Sequence, residues 1–358
     1  MRPTLAIYGI QDRFAHTSPA YVHDHNLCVM QDGRITHYLH LERLSRRKYD
    51  NQLPDYIEEL LDYELRDVMA EKPDLVYVDT FVGRSFLSKS GRLRLEPSLQ
   101  PSEPGCCPAR AWWQYAPWEG ETLPAWMLSH EIAHVYSNLP FAPPPDEHAL
   151  LMHFDGGASL GNFSAFQLRN NALKTLECHW EPAGLSKIFN DNALSFHLLG
   201  AQPGDHCAVP GKLMGYAALQ EVEPEIVDWL QEHNLFASIW DDPTPFFLSA
   251  RRRLGWSGSV FDTHDPFLQR VAAALQHIFV VAWRQKYQAL CAAHKPQAVY
   301  LSGGCALNIV SNTQLLKVSD APTLYIPPCC NDAGLSIGAV SYTHLRAHET
   351  DSYLVCRL

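Results

Sequence analysis

Strand, glycine turn, strand occurs twice in this chain, and each time helices and a further buried strand follow. In the first instance residues 26–31 and 34–41 flank Asp32-Gly33, a strong two-residue hairpin signal, after a short apolar run at residues 5–10. Pro54 then stands where a helix starts. Tyr56, Ile57, Leu60, Leu61 and Leu65 recur at helical spacing up to Lys72-Pro73, and residues 75–78 read as a buried strand. From Ala149 the pattern resumes with a strand at residues 149–154, the turn Asp155-Gly156-Gly157 and a strand-like run at 162–168. A long helical pattern over residues 266–293 leads into a strand at 298–301. Two such halves predict a mixed α/β chain of two lobes, the first at residues 1–148 and the second at 149–340. A cleft between them is where a ligand is expected.

The 358 residues suffice for two lobes, and 46% hydrophobic with 19% charged residues excludes a disordered chain. Lys and Arg total 28 against 39 Asp and Glu, so a formal charge of -11 argues against nucleic acid as a partner. No apolar run approaches the roughly 20 residues of a membrane-spanning helix, and the N-terminus lacks the apolar core of a signal peptide. A soluble, cytoplasmic protein is the expectation. The 10 Cys are scattered, and two pairs, Cys106-Cys107 and Cys329-Cys330, are sequence neighbours, so they read as reduced thiols. The 18 His direct attention to a metal or proton-transfer site. Residues 97–126, rich in Pro and carrying Trp112, Trp113, Trp118 and Trp126, read as a loop sealed onto the core, with a substrate-stacking lid as the alternative.

His130-Glu131-Ile132-Ala133-His134 places two imidazoles one helical turn apart, where both can ligate one ion. It also matches the H-E-x-x-H pattern of zinc peptidases, in which the Glu is the base. Ser137 and Pro140 stand where a metzincin has a Gly and a third His, and Pro143-Pro144-Pro145 closes the helix, which favours a metal pair of another kind. Asp155 and Asp332 each follow a strand. Each reads either as a turn or cap residue or, with the two His, as a complete ligand set for a divalent metal. Ser302-Gly303-Gly304-Cys305-Ala306-Leu307-Asn308 runs from a buried strand through two glycines into a helix, the kind of turn whose backbone N–H groups approach a phosphate. Gly211-Lys212-Leu213-Met214-Gly215 supplies a second glycine pair around a Lys.

In order, His23-Asp24 with Asp32-Gly33, the run from Glu42 to Arg46 with Lys48, the paired histidines, Asp155-Gly156, Gly211 to Gly215, Ser302 to Asn308 and Asn331-Asp332-Ala333-Gly334 resemble the O-carbamoyltransferases of nodulation and antibiotic tailoring. The resemblance implies a two-lobed actin-like, ribonuclease H-like fold with a central cleft. It implies His130, His134, Asp155 and Asp332 as ligands of a divalent metal, usually iron, and Lys212, Gly215, Gly303, Gly304 and Asn308 as the site of ATP or carbamoyl adenylate. His23 is then the base that takes the proton of a small hydroxylated acceptor, the carbamoyl group coming from carbamoyl phosphate by way of the adenylate. The link between Gly9 and His23 is longer than usual, which leaves His16 and His25 as competitors for that role. Family members continue into a YrdC-like domain that forms the adenylate. Residues 341–358, SYTHLRAHETDSYLVCRL, leave the helix pattern and read as a non-native tail, so the chain is expected to be a truncated piece lacking that domain. The rival readings are tRNA threonylcarbamoyl transfer on the same fold, a zinc peptidase through His130 and His134, and an inactive nucleotide-binding fragment.

Overall fold

Thr4–Tyr8 (β1) is buried at every position but its first, as a strand covered on both faces must be. The computed structural model that contains it describes residues 2–10, 21–98, 101–114, 122–169, 172–180, 193–201, 203–237, 242–259, 262–318 and 321–355. β1 pairs antiparallel with Asn26–Gln31 (β2), which turns back into Arg34–His40 (β3). Asp32 and Gly33 at that turn have φ of 49° and 75°, the left-handed backbone a tight two-residue hairpin needs. On its other side β1 pairs parallel with Asp74–Val78 (β4), and β4 pairs parallel with Thr122–Leu128 (β8).

The second sheet repeats the plan. Leu150–Phe154 (β9) pairs antiparallel with Phe163–Arg169 (β10), which pairs antiparallel with Ala172–His179 (β11). Ala298–Ser302 (β12) and Thr323–Tyr325 (β13) join β9 in parallel. The orders β3-β2-β1-β4-β8 and β11-β10-β9-β12-β13 are the same order, three antiparallel strands then two parallel ones. This duplicated arrangement is the two-lobed actin-like α/β fold with a central cleft.

The described residues of 97–126 are largely strand rather than the expected sealed loop or lid. Phe86–Leu87 (β5), Leu93–Pro97 (β6) and Cys106–Trp113 (β7) extend the first sheet beyond β8. Trp113 is buried in that sheet and Trp112 stacks under the Arg94 guanidinium. Trp118 lies outside the described residues. Among the described residues of this segment, none lines the cleft.

The long helix Pro266–His294 begins at Asp265, whose side chain accepts from the Phe267 N–H at 2.8 Å. Val271, Leu275, Phe279, Trp283 and Tyr287, spaced by four, turn one stripe into the second core. Val209–Ala217 packs on that helix through Leu213 and Ala217. The Gly211-Lys212-Gly215 segment is therefore helical, started by Pro210 in its first turn, rather than a phosphate-binding loop.

The last helix, Leu335–Val355, returns to β1, β2 and β4 and packs against the short helix His130–Tyr136. A Cβ on Gly338 would lie 1.7 Å from the Ala133 carbonyl oxygen, so the two helices cross at glycine contact distance. Among the described residues no helix is long and apolar enough to cross a membrane.

Candidate metal centre in the cleft

Each segment of the candidate site follows the carboxyl end of a parallel strand. His130 opens its helix two residues after β8, Asp155 follows β9, Gly303 follows β12, and Asp332 ends the loop after β13. In α/β sheets this is the edge where ligands bind. The cleft there has a volume of about 810 Å3 and is lined by both lobes, with His23, Lys48, Asp155, Lys212, Gly304 and Asp332 on its walls.

His130, His134, Asp155 and Asp332 each offer one donor atom, all within 4.8 Å of one another. The two Nε2 atoms lie 3.0 Å apart. His134 Nε2 is 3.0 Å from Asp155 Oδ2 and 3.4 Å from Asp332 Oδ1, and His130 Nε2 is 3.4 Å from the same Asp332 oxygen. Two imidazole nitrogens aimed at each other at this range need a proton or a cation between them. Donors about 2.1 Å from one ion are separated by about 3.0 Å along a right-angled edge and about 3.4 Å along a tetrahedral one. The residues fit a divalent metal by chemistry and by spacing.

The carboxylates are held from behind. Asp155 accepts the Gly304 N–H on Oδ2 at 2.8 Å and the Gly156 N–H on Oδ1 at 2.5 Å. The Tyr8 hydroxyl donates to Asp332 Oδ2 at 2.5 Å, leaving Oδ1 for the histidines. Asn26 donates to the backbone oxygens of Asp24 and Asp332 and accepts from the Ser336 N–H, so one buried amide ties the first hairpin to the loop that carries Asp332. Tyr8, Asn26 and His153, which stacks on His134 with ring centres 5.0 Å apart, went unremarked in the sequence. Their only signal was polarity inside strands otherwise apolar and buried.

Burial alone would lower the His134 pKa, but the hydrogen bonds and charges of Asp155 and Asp332 raise it to about 9. Burial would raise Asp332, yet His130 and the other imidazoles hold it well below the usual carboxylate range. Burial, then the charge on His134, pushes His153 well below the ordinary imidazole value. His134 is therefore protonated in the metal-free chain at neutral pH. That proton adds stability below the ordinary imidazole pKa, and the contribution is lost as pH rises through about 9. An ion must displace it, so metal affinity should rise about tenfold per pH unit toward pH 9 by titration calorimetry. A pH-independent affinity would contradict this.

Glu131 points elsewhere. One carboxylate oxygen accepts the backbone N–H groups of Leu160 at 2.6 Å and Gly161 at 3.1 Å, and the side chain is fully buried. It fixes the turn that carries Asp155 and is not placed to activate water, which removes the structural basis for the peptidase reading.

His23 lies on the cleft wall with Nδ1 2.9 Å from Asp24 Oδ2, and Asp24 is also held by His40 Nε2 at 3.2 Å and donated to by Asn331 at 3.2 Å. Burial would raise Asp24, but the hydrogen bonds of His23 and His40 lower it to about 2. His25 is excluded as a competitor: it is fully buried, accepts the Leu53 N–H at 3.3 Å, and is driven by burial to about 3. His16 lies outside the described residues.

The expected adenylate residues divide. Lys212 lines the cleft, half-exposed and 3.6 Å from Asp205, whereas Gly215 is not among the lining residues. The Gly303 and Gly304 N–H groups are engaged by the Cys330 carbonyl at 2.7 Å and by Asp155, so neither is free for a phosphate. Gly303 has φ of 96° and sits against the Phe154 backbone where no side chain fits. The Asn308 amide is paired in both directions with Gln276 and caps the next helix through the Ser311 N–H.

The fold and this cluster define a class: an actin-like chain with a four-residue cluster of candidate metal ligands in its cleft. A family model described as Carbamoyltransferase N-terminus matches residues 123–341. The chain belongs to this carbamoyltransferase family. It is 23% identical to the 3'-hydroxymethylcephem-O-carbamoyltransferase of Streptomyces clavuligerus over 88% of this chain and 57% of that protein. It is 26% identical to nodulation protein U of Sinorhizobium fredii over 59% of this chain and 40% of that protein. The chain thus spans about half the length of the curated relatives it matches. Among solved structures, full-length HypF in a phosphate- and nucleotide-bound form aligns with a TM-score of 0.48 at 11% identity, covering 96% of this chain and 55% of that one.

Proposed function

We propose that this chain carries out carbamoyl transfer from carbamoyl adenylate, formed from carbamoyl phosphate and ATP, to the hydroxyl of a small-molecule acceptor. The observation that carries the reading is the convergence of His130, His134, Asp155 and Asp332 beside the His23–Asp24 pair in one cleft, in a chain of the carbamoyltransferase family. A divalent ion held by the four ligands would supply Lewis-acid polarisation of the carbamoyl carbonyl. Burial would lower the His23 pKa, but neighbouring charges and the Asp24 hydrogen bond raise it well above the ordinary imidazole value, so it is the unprotonated fraction of His23 that takes the acceptor's proton on Nε2, Nδ1 being committed to Asp24, whose carboxylate steadies the imidazolium that forms. The acceptor oxygen bonds to the carbamoyl carbon as the bond to the adenylate phosphate breaks and AMP leaves. Lys212 and Lys48, both on the cleft wall, meet the anionic phosphate.

The test is calorimetric titration of the metal-loaded chain with a hydrolysis-resistant sulfamoyl analogue of carbamoyl adenylate. Saturable binding at one site, weakened by Lys212→Ala, supports the reading, and no binding contradicts it. His23→Ala is expected to slow transfer from carbamoyl adenylate by about 10²–10⁴-fold while metal content stays at the wild-type value. A rate within a factor of two of wild type would remove His23 from the chemistry.

A further inference from the structure

Three large aromatic side chains stand in the cleft instead of in a core. Tyr21 is 45% exposed, Phe81 42% and Trp180 49%, and all three line the cavity together with His23, Asp155 and Asp332. Such exposure is ordinary for single rings scattered over a surface, but these rings are neighbours in a concave site. Phe81 meets Tyr21 and Trp180 edge to face, with ring centres 5.8 and 5.7 Å apart, so the three make one apolar patch drawn from both lobes. Gly157, two residues after Asp155, is where the patch rests: a Cβ there would be 2.9 Å from Phe81 Cε1 and 3.3 Å from Trp180 Cη2. The Phe81 N–H donates to the Ala158 carbonyl at 2.9 Å, which ties that ring to the same turn. Tyr21 is two residues before His23, and its ring centre is 6.3 Å from that of His206 on the cleft wall. A molecule lying on the patch is therefore next to both the turn of Asp155 and the segment of His23.

The charges on the wall narrow what that molecule is. Among the described residues the carboxylates that line the cleft are Asp24, Asp155 and Asp332. Each is engaged already: Asp24 by His23 and His40, Asp155 by His134 and the Gly304 N–H, Asp332 by Tyr8 and His130. Lys48 and Lys212 are the cations of the same wall. A cationic amino sugar meets committed carboxylates and two lysines there, whereas a flat uncharged ring meets three aromatic partners. We infer that Tyr21, Phe81 and Trp180 form the acceptor subsite, and that the acceptor is an alcohol borne on a planar, unsaturated ring system without positive charge. Stacking holds the ring and leaves a hydroxyl at its edge to reach His23. The role as acceptor subsite rests on the carbamoyl-transfer reading, and the preference for a planar ring rests on the cleft wall alone.

The experiment titrates the metal-loaded chain with three alcohols, 2-naphthylmethanol, methyl β-glucoside and glucosamine, by ligand-observed NMR, with and without the sulfamoyl analogue of carbamoyl adenylate. 2-Naphthylmethanol should bind about tenfold or more tighter than either sugar, and should still bind when the analogue is present. Trp180→Ala and Phe81→Ala, both at half-exposed positions, should each weaken it by about tenfold while metal content stays at the wild-type value. A sugar that binds as tightly as 2-naphthylmethanol, or a naphthyl affinity that neither replacement changes, would overturn the inference. The wild-type chain's affinity for the analogue keeps the two readings apart. If the analogue does not bind, carbamoyl transfer is contradicted and the alcohol titrations still decide the ring preference; if it binds and the naphthyl ring is not preferred, this inference alone is overturned.

Discussion

Gly338→Ala is expected to destabilise the chain by about 3 kcal/mol or more and to abolish metal binding together with it. The added Cβ would sit 1.7 Å from the Ala133 carbonyl oxygen and 2.7 Å from its carbon. Both are backbone atoms, so no rotamer change relieves the clash, and the helices must separate. Ala133 lies between His130 and His134, and the helix containing Gly338 begins just after Asp332. A displacement there moves the two histidines relative to one carboxylate. The clash also opens the core in which Ile132, Ala133 and Val135 meet Leu335, Ala339 and Val340. Gly215→Ala is the control: it lies within a helix with nothing within 4 Å of the added Cβ, and should be neutral or stabilising by up to about 1 kcal/mol. Urea unfolding measures both. Equal midpoints for wild type and Gly338→Ala would show that the helix crossing is looser than described.

The second large effect is on the ligand set. His134→Ala should weaken divalent metal binding by about two orders of magnitude or more, because His134 Nε2 is within 3.4 Å of the other three donors. It should also make the metal-free chain more sensitive to pH. Asp332 and Asp155 are both held low by the imidazoles against the effect of burial. A depressed carboxylate contributes stability above its unfolded pKa and loses it as pH falls through the folded one. Without His134 two buried carboxylates face each other with less compensation. The variant should therefore be destabilised most at neutral pH and recover part of the deficit below about pH 5, where one carboxyl is protonated. Thermal melts at the two pH values, with metal removed, give the comparison. A deficit that does not change with pH would mean that lost packing, not charge, explains it.

Much of this was legible in the sequence because the signals were local. Paired histidines one turn apart on a helix, carboxylates after buried strands, and the Asp32-Gly33 hairpin need only neighbouring residues to be seen. The ribbon formed by β6 and β7 was hidden by prolines, which argue against strands. Pro108 lies just past the last pairing of β7 with β6, and Pro124 just before the first pairing of β8 with β4. Each is thus at a local edge, where a missing N–H costs little. The helical state of Gly211 to Gly215 was hidden because the glycine pair suggested a turn, while the burial of Leu213 and Ala217 on a helix that begins only at Pro266 decided the matter. The supports of the centre, Tyr8 and Asn26, act over 324 and 306 residues of sequence, and no local pattern carries that information.

The most direct measurement is X-ray absorption at the metal edge of the chain loaded anaerobically with one equivalent of divalent iron. The account predicts one tightly bound ion with two imidazole shells and oxygen ligands, and loss of the imidazole scattering when His130 and His134 are both replaced by Ala. A spectrum without histidine scattering, or one that the double replacement leaves unchanged, would contradict it.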